Sequence, residues 1–373
     1  MYAMPASRCD CSYTIGMLTR CLTFPTAEMD AAADRCLAYM AQTASRGPRY
    51  GDGHRTGVNL SLHAYTDSDW QIKSSTSGWV IMYGGAVVSY GSRRQASISL
   101  SSTEAEIMAA SQGAAELVYI RGLLREMGEE LSEPSVVFVD NEGAVALSKD
   151  LKSCNRSRHI ERRYLWVREL VHRGEITVKY VPTAENVADA MTKSLSAVDF
   201  ERHVSVMFNS PLPLSDDASM MNTTPTVRQR TFDVEAAYLK GQFDKSEVLY
   251  ARPPLGYRSW DHGIMYIWRL KVPLYGEADA GRIWNRTLVH QLVRVQGFKQ
   301  SEYDPCFFWK HLLDGTRMNV VMYVDDGYVT DSFSSAADAE LEKLNKAFTI
   351  ALKPAHFFLG NNIDVDGSQV SAP

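Results

Sequence analysis

The pattern of apolar and polar positions first predicts a helical segment. Residues 12–42 fit two helices interrupted at Pro25, and Thr26 is a suitable N-cap for the second helix. Apolar side chains then recur at helical spacing, at Met29, Ala33, Cys36, Leu37 and Met40. Residues 43–60 are polar and contain glycine, which indicates a loop.

A block rich in strands follows. Residues 63–67, 78–83 and 86–90 predict three strands, and Gly84-Gly85 predicts a tight hairpin turn. Thr103 is the predicted cap of a long helix that ends at Gly128. Further on, the pattern predicts a strand at 136–139, a helix after Asp140, a helix at 159–172, a strand at 175–181 and a short helix carrying Asp189. This order favours an α/β fold with a mixed sheet.

The second half of the chain predicts a linker followed by a second domain. Residues 196–229 contain Pro211, Pro213 and Pro225 among many Ser, Asn and Thr, a composition typical of a linker. Beyond it we predict a helix at 276–295, strands at 307–310 and 319–324, a helix at 336–348 and a strand or turn at 357–360. The predicted divisions are therefore a helical segment at 1–60, an α/β domain at 61–195, a linker at 196–229 and an α+β domain at 230–373.

The net charge is only weak evidence on whether the chain binds nucleic acid. The formal net charge is −5, whereas a nucleic-acid-binding chain is often basic. Clusters of metal-binding carboxylates would also lower the net charge, so the local distribution of charge is the better guide.

Cysteine usage and hydropathy indicate the cellular compartment in which the protein is expected. The six cysteines include no C-x-x-C pair, which favours reduced thiols in an intracellular protein. The sequence shows no signal-peptide pattern and no apolar run near the roughly 18 residues of a membrane span. We therefore expect a protein of the cytoplasm or nucleus that has no membrane partner.

Four acidic residues of the first domain are candidate metal ligands. Phosphodiester hydrolysis needs an activated water and a stabilised leaving oxygen, which two metal ions about 3.5–4 Å apart supply. Magnesium prefers oxygen ligands, so such a site needs several converging carboxylates. Asp67 lies on the first strand, Glu106 in the first turn of a helix, Asp140 at the end of a later strand and Asp189 on the last helix. Adjacent strands and a helix packed on their ends can bring these four together.

A second acidic set lies in the second domain. Asp325-Asp326 follow the apolar residues 320–322, and Asp233 lies on an earlier predicted strand. A hairpin with Asp-Asp at its turn, beside a strand that carries another Asp, can hold the two metal ions of nucleotide transfer.

The motifs around the first set resemble the ribonuclease H of copia-type LTR retrotransposon polyproteins over about residues 62–195. They are Tyr65-Thr66-Asp67-Ser68-Asp69-Trp70, Ser101-Ser102-Thr103-Glu104-Ala105-Glu106, Val139-Asp140-Asn141, Ser157-Arg158-His159-Ile160 and Ala188-Asp189-Ala190-Met191-Thr192-Lys193. The resemblance implies a ribonuclease H-like mixed sheet, RNA–DNA hybrids as substrate and two Mg²⁺ or Mn²⁺ ions. The implied metal ligands and catalytic residues are Asp67, Glu106, Asp140 and Asp189, with Asp69 and Glu104 as competing candidates.

A basic cluster lies within and directly beside the motif Ser157-Arg158-His159-Ile160. Arg156, Arg158, His159 and Arg162 are candidates for contact with the phosphates of an RNA–DNA hybrid. A solvated helix face explains the same pattern, and the sequence leaves both interpretations open.

The second domain resembles the palm of copia-type reverse transcriptases. The resemblance implies that Asp233, Asp325 and Asp326 are catalytic metal ligands. It also implies that Tyr238 contacts the incoming nucleotide as the aromatic gate against a 2′-hydroxyl, with core packing as the alternative. Asp279 stands where this family usually has glutamine, and Gly281 where it usually has proline.

The order of the two domains is the reverse of the usual one, since reverse transcriptases of retroelements carry the polymerase before the ribonuclease H. Little sequence around the palm is left for fingers and thumb, so we expect no polymerisation by this chain alone. A complete reverse transcriptase is therefore a further partner to consider. The alternative function is an inert retroelement relic or a domesticated module that binds nucleic acid or protein.

Overall fold

The computed structural model describes residues 7–50, 61–71, 75–99, 101–149, 166–210, 227–244, 246–262, 264–359, 361–364 and 369–371. The chain forms two units by its internal contacts. The N-terminal unit comprises Met1–Thr223 with Gly360–Pro373, and the C-terminal unit comprises Thr224–Leu359. No helix within the described ranges is both long enough and apolar enough to cross a membrane.

The N-terminal unit is built on a mixed five-stranded sheet. Its strands are β1 (His63–Asp69), β2 (Thr76–Tyr83), β3 (Ala86–Arg94), β4 (Ser135–Val139) and β5 (Ile176–Tyr180). Their order across the sheet is β3-β2-β1-β4-β5. The first three strands are antiparallel, whereas β4 is parallel to both β1 and β5. The mixed sheet predicted from the sequence is confirmed.

Local sequence explains the hairpin between β2 and β3. Gly84 and Gly85 have φ angles of 62° and 89°, which suit the two central positions of a type I′ turn. Strand β2 begins two residues before the predicted strand, and β3 extends four residues beyond it.

Helices cover both faces of this sheet. They are α1 (Ser12–Thr19), α2 (Ala27–Gln42), α3 (Ser102–Met127), α4 (Glu142–Lys149) and α5 (Ala197–Met207), and residues 166–172 are also helical. Alternate strand residues point to opposite faces. Ala64 and Ile81 therefore share a core with Leu117 of α3, whereas Val80 and Met82 share one with Met207 of α5.

Capping of the helices was predicted correctly in one case and wrongly in another. Thr26 accepts a hydrogen bond from the Met29 N–H, as predicted. The cap of α3 is Ser101, not Thr103. Ser101 has extended backbone angles and its hydroxyl accepts the Glu104 N–H at 3.1 Å, so the helix starts before Thr103.

A helix also occupies the start of the segment predicted to be a linker. Helix α5 is capped by Ser196, and it buries Val204 and Met207 against the sheet. The prediction of a linker there was wrong because the prolines of that segment lie beyond residue 210, where 211–226 fall outside the described residues. Apolar side chains at i and i+3 give this stretch a core-facing side.

The C-terminal unit contains a six-stranded antiparallel sheet. It is formed by β6 (Arg228–Val234), β11 (Lys299–Gln300), β12 (Phe307–His311), β13 (Arg317–Tyr323), β14 (Asp326–Asp331) and β15 (Ile350–Pro354), in the order β11-β12-β13-β14-β6-β15. Short strands of this unit also occur at β7 (Tyr250–Ala251), β8 (Trp260–Asp261), β9 (Ile264–Met265), β10 (Trp268–Arg269) and β16 (Phe357–Phe358). The last two short strands, β17 (Asn361–Asp364) and β18 (Gln369–Ser371), belong to the N-terminal unit.

Two helices pack on the six-stranded sheet. Helix α6 (Ala280–Val289) continues as a π-helix over His290–Val295, and α7 (Ser335–Phe348) follows β14. Trp284 and Leu341 are buried in one core with Phe308. Helix α6 starts four residues later than predicted because Gly276 has a φ of 86°, outside the right-handed helical region.

Candidate metal centre

Three carboxylates converge at one end of the first sheet. Asp67, Asp140 and Asp189 each offer an oxygen, and these oxygens lie within 4.8 Å of one another. Asp67 lies on β1, whose residue Thr66 pairs with Val139 in the parallel strand β4. Asp140 follows β4 directly, so the register of two parallel strands places it beside Asp67.

Asp189 reaches the same place from a 3-10 turn, Val187–Met191, that lies against β1 and β2. Gly78 pairs with Asp67 across the sheet. A Cβ atom on Gly78 would lie 2.6 Å from the Met191 Cβ. Glycine at this position therefore permits the close approach that brings Asp189 to Asp67.

Glu106 lies next to this triad, in the first part of α3. Its Oε1 accepts hydrogen bonds from the Ser68 N–H at 3.1 Å and from the Ser68 hydroxyl at 3.0 Å. Its Oε2 is buried and has no hydrogen-bond partner. Glu106 is thus oriented by the residue that follows Asp67, although it is not one of the three that converge within 4.8 Å.

Neighbouring side chains fix the three carboxylates. The Thr192 hydroxyl donates to Oδ2 of Asp67, and the Thr183 hydroxyl donates to Oδ2 of Asp140 at 2.9 Å. The Lys193 Nζ lies 2.9 Å from Oδ2 of Asp189 and 3.9 Å from Oδ2 of Asp67.

Sequence reasoning did not identify these contacting residues as parts of the site. Ser68, Thr192 and Lys193 lie within the quoted motifs, so their proximity in sequence to the acidic residues was the available signal. The i,i+4 spacing of Asp189 and Lys193 was a further one.

Burial and mutual repulsion raise the pKa values of the acidic groups. Burial, followed by the charges of Asp67 and Asp140, raises the pKa of Glu106 to about 9. Burial and the Asp67 charge raise the pKa of Asp189 to about 7, and burial also raises the pKa of Asp67. These carboxyls therefore hold protons more tightly than free carboxyls do, as expected where negative charges are crowded away from water.

The residues fit a divalent cation. Oδ1 of Asp189 is buried without a hydrogen-bond partner, as is Oε2 of Glu106. Buried acceptors that lack a partner cost free energy, and a cation would satisfy them. A set composed only of carboxylate oxygens suits Mg²⁺ or Mn²⁺.

The competing acidic residues lie outside the converging group. Asp69, at the end of β1, accepts a hydrogen bond from the Gln71 side chain at 2.5 Å. Glu104 lies in the first turn of α3, where its N–H is bonded to Ser101. The predicted nucleic-acid-binding residues Arg156, Arg158, His159 and Arg162 lie outside the described residues.

The second acidic set occupies a tight hairpin. Asp326 of β14 lies opposite Asp233 of β6, and Asp325 lies in the turn between β13 and β14. Burial, then the charges of Asp325 and Asp233, raises the pKa of Asp326. These three residues do not form a group within 4.8 Å among the described part of the chain.

A buried indole supports the turn of this hairpin. Val324 has a φ of 57°, which is strained for a β-branched residue. The Trp284 Nε1–H donates to the Val324 carbonyl oxygen at 2.6 Å. Helix α6 therefore holds the backbone next to Asp325.

Tyr238 lies beside this hairpin's sheet in a 3-10 turn, Ala237–Lys240. Its ring centroid is 4.8 Å from that of Tyr275. A Cβ atom on Gly281 would lie 3.9 Å from its hydroxyl. The role of Tyr238 as a gate stays a prediction.

Comparison with known proteins relates the chain to mobile elements. The family described as reverse transcriptase (RNA-dependent DNA polymerase) matches residues 220–371. The Retrovirus-related Pol polyprotein from transposon RE2 of Arabidopsis thaliana is 36% identical over 199 residues, covering 52% of this chain and 13% of that protein. The corresponding polyprotein from transposon RE1 of the same plant is 34% identical over 213 residues, covering 56% of this chain and 14% of that protein. This chain thus matches about one seventh of their length.

Among solved structures, the RNase H1 from Halobacterium salinarum NRC-1 aligns at 20% identity with a TM-score of 0.28. The alignment covers 35% of this chain and 94% of that one.

Proposed function

Because the chain belongs to the copia-type retrotransposon Pol polyproteins, we propose that its N-terminal unit hydrolyses the RNA strand of RNA–DNA hybrids. The proposed metal ligands are Asp67, Glu106, Asp140 and Asp189. The observation that carries this proposal is the convergence of Asp67, Asp140 and Asp189 within 4.8 Å.

The chemistry of the cluster supports hydrolysis of a phosphodiester. Bound divalent ions, two in number by this proposal, supply an activated water and stabilise the leaving oxygen. An uncompensated group of carboxylates would repel the phosphates of a nucleic acid, so the same ions are required for the substrate to approach.

The surrounding side chains orient the proposed metal ligands by hydrogen bonds. Ser68 directs one oxygen of Glu106 through two hydrogen bonds and leaves the other oxygen unpaired. The hydroxyls of Thr192 and Thr183 each donate one hydrogen bond, to Asp67 and to Asp140 respectively. Such contacts orient metal ligands and are the usual means by which a site is kept in a productive geometry.

The proposed substrate of the N-terminal unit and the proposed role of the C-terminal unit depend on membership of this family. For the C-terminal unit we propose the palm of a reverse transcriptase with Asp233, Asp325 and Asp326 as its metal ligands. The antiparallel pairing of Asp326 with Asp233 supports this arrangement. A complete reverse transcriptase is the partner that would perform polymerisation, and primer extension with and without this chain tests that.

The nuclease proposal is tested by cleavage of a labelled RNA–DNA hybrid by the full chain. We expect the RNA strand to be cut in Mn²⁺ or Mg²⁺ and to stay intact in EDTA. Asp140→Asn should abolish cutting, whereas Asp69→Asn, on the same strand end as Asp67 but outside the cluster, should retain it.

A second matched pair separates the two glutamates of α3. Glu106→Gln should lose cutting, and Glu104→Gln should keep it. A folded chain that binds Mn²⁺ but cuts no strand would contradict the nuclease proposal and favour a nucleic-acid-binding module. Cutting that survives Asp140→Asn would show that another site is responsible.

A further inference from the structure

A lysine is part of the carboxylate cluster. Lys193 follows the 3-10 turn that carries Asp189, and its Nζ lies 2.9 Å from Oδ2 of Asp189 and 3.9 Å from Oδ2 of Asp67. The Lys193 side chain is 38% exposed, whereas the side chains of these two partners are 6% and 3% exposed. The ammonium therefore reaches into a buried acidic site from its solvent side.

Lys193 is also the main source of positive charge at this site. Among the described residues, no other Lys or Arg forms an ion pair with Asp67, Glu106, Asp140 or Asp189. Within the described part of the chain, Lys193 is therefore the one cation paired with this acidic cluster, through Asp67 and Asp189. Its contacts lower the cost of holding Asp67 and Asp189 close together.

The ammonium is bonded to a carboxylate oxygen that a metal ion at this site could also use. A metal bound by Asp67 and Asp189 would lie about 2.0–2.1 Å from their oxygens if it were Mg²⁺. One of the oxygens of Asp189 is already taken by Lys193, at hydrogen-bond distance. A divalent ion and an ammonium this close would repel strongly in a partly buried site.

We propose that Lys193 is a tethered counter-cation that occupies the cluster in the absence of metal and withdraws when a divalent ion binds. This inference rests on the metal centre of the proposed function. The four-carbon stem of lysine is flexible, and its exposed path to solvent allows the ammonium to leave without unfolding the turn.

Two opposite effects follow from this arrangement. Lys193 stabilises the metal-free fold, because it offsets the repulsion between carboxylates. It weakens metal binding, because part of the binding free energy is spent on displacing it. A residue that merely packs against the turn would not combine these two effects.

The test compares the full chain with Lys193→Met, which keeps a long unbranched side chain but removes the charge. Mn²⁺ binding is measured by electron paramagnetic resonance at pH 7.5, and thermal unfolding is measured in EDTA and in Mn²⁺. We expect Mn²⁺ to bind at least about ten-fold more tightly to the variant, as removal of a neighbouring cation predicts. We also expect a lower Tm in EDTA and a larger rise in Tm when Mn²⁺ is added.

Two controls isolate the role of position from that of charge. Lys193→Arg keeps the cation and should not bind Mn²⁺ more tightly than the unaltered chain. Lys179→Met removes an exposed lysine of β5 and should leave both Mn²⁺ affinity and Tm unchanged. If Lys193→Met does not fold, Lys193→Gln is measured in its place.

The outcomes separate this inference from the function on which it rests. Equal or weaker Mn²⁺ binding by the folded Lys193→Met chain would overturn the role of Lys193 while leaving the metal centre intact. An unchanged Tm in EDTA would do the same. Mn²⁺ binding that is absent, or that is unaffected by Asp140→Asn, would overturn the metal centre and this inference with it.

Discussion

Replacing Glu106 with glutamine should make the metal-free protein more stable at neutral pH. Glu106 is 6% exposed, and burial with two neighbouring carboxylates raises its pKa from 4.5 to about 9. The folded chain therefore binds this proton more tightly than the unfolded chain does. The resulting stabilisation is complete below pH 4.5 and is lost as the pH rises towards 9.

The size of the effect on the free energy of unfolding follows from the interval between the unfolded and the folded pKa of Glu106. Each pH unit between the unfolded and the folded pKa costs about 1.4 kcal/mol. Between pH 5 and pH 7.5, Glu106 should thus reduce the free energy of unfolding by about 3 kcal/mol. Glutamine carries no charge at either pH, and its carbonyl oxygen can accept the two hydrogen bonds from Ser68. Glu106→Gln should therefore remove this part of the pH dependence.

The assay is urea unfolding in EDTA at several pH values from 5 to 7.5. Hydrogen exchange of peptides from β1 and α3 follows the N-terminal unit separately from the C-terminal unit. Glu104→Gln is the matched control, since it removes a carboxylate from the same turn of α3 without touching Ser68. It should change the pH dependence much less than Glu106→Gln does.

Two results would refute this reasoning. One is a Glu106→Gln chain whose stability falls between pH 5 and pH 7.5 as steeply as that of the unaltered chain. The other is a gain in the free energy of unfolding at pH 7.5 that Glu104→Gln reproduces.

Addition of Mn²⁺ should stabilise the unaltered chain at pH 7.5 and stabilise Glu106→Gln less, because the variant has lost a ligand.

Three further predictions concern stability. Asp10→Asn should cost about 3–5 kcal/mol in urea unfolding because it leaves the buried Arg8 guanidinium without its 2.8 Å ion pair; Arg173→Met, which removes an exposed pair, should cost less than about 1 kcal/mol. Trp284→Phe should destabilise the C-terminal unit by about 1–2 kcal/mol, measured by hydrogen exchange of β13 and β14, because the Val324 carbonyl loses its indole donor. Val324→Gly should raise the Tm of that unit, since glycine adopts a φ of 57° without strain; a lower Tm would contradict this.

Local features of the sequence determined much of the secondary structure. The Gly84-Gly85 turn, the Thr26 cap and the strand at 63–67 depend on residues a few positions apart, and each was predicted correctly. The acidic residues that converge were also recognisable, because they lie in motifs that follow one another along the chain in the order of the family that they resemble. Errors arose where neighbours in sequence compete, as for Ser101 and Thr103, since both are suitable caps.

Only the tertiary structure decided that the acidic residues form one site. Asp67 and Asp189 are more than a hundred residues apart, and their contact depends on strand register, on the absence of a side chain at Gly78 and on the turn that covers it. The same packing buries Glu106 and shifts its pKa, and it brings Lys193 into the cluster. Composition could not show this, because desolvation and charge–charge repulsion depend on distances and burial that only the folded chain defines.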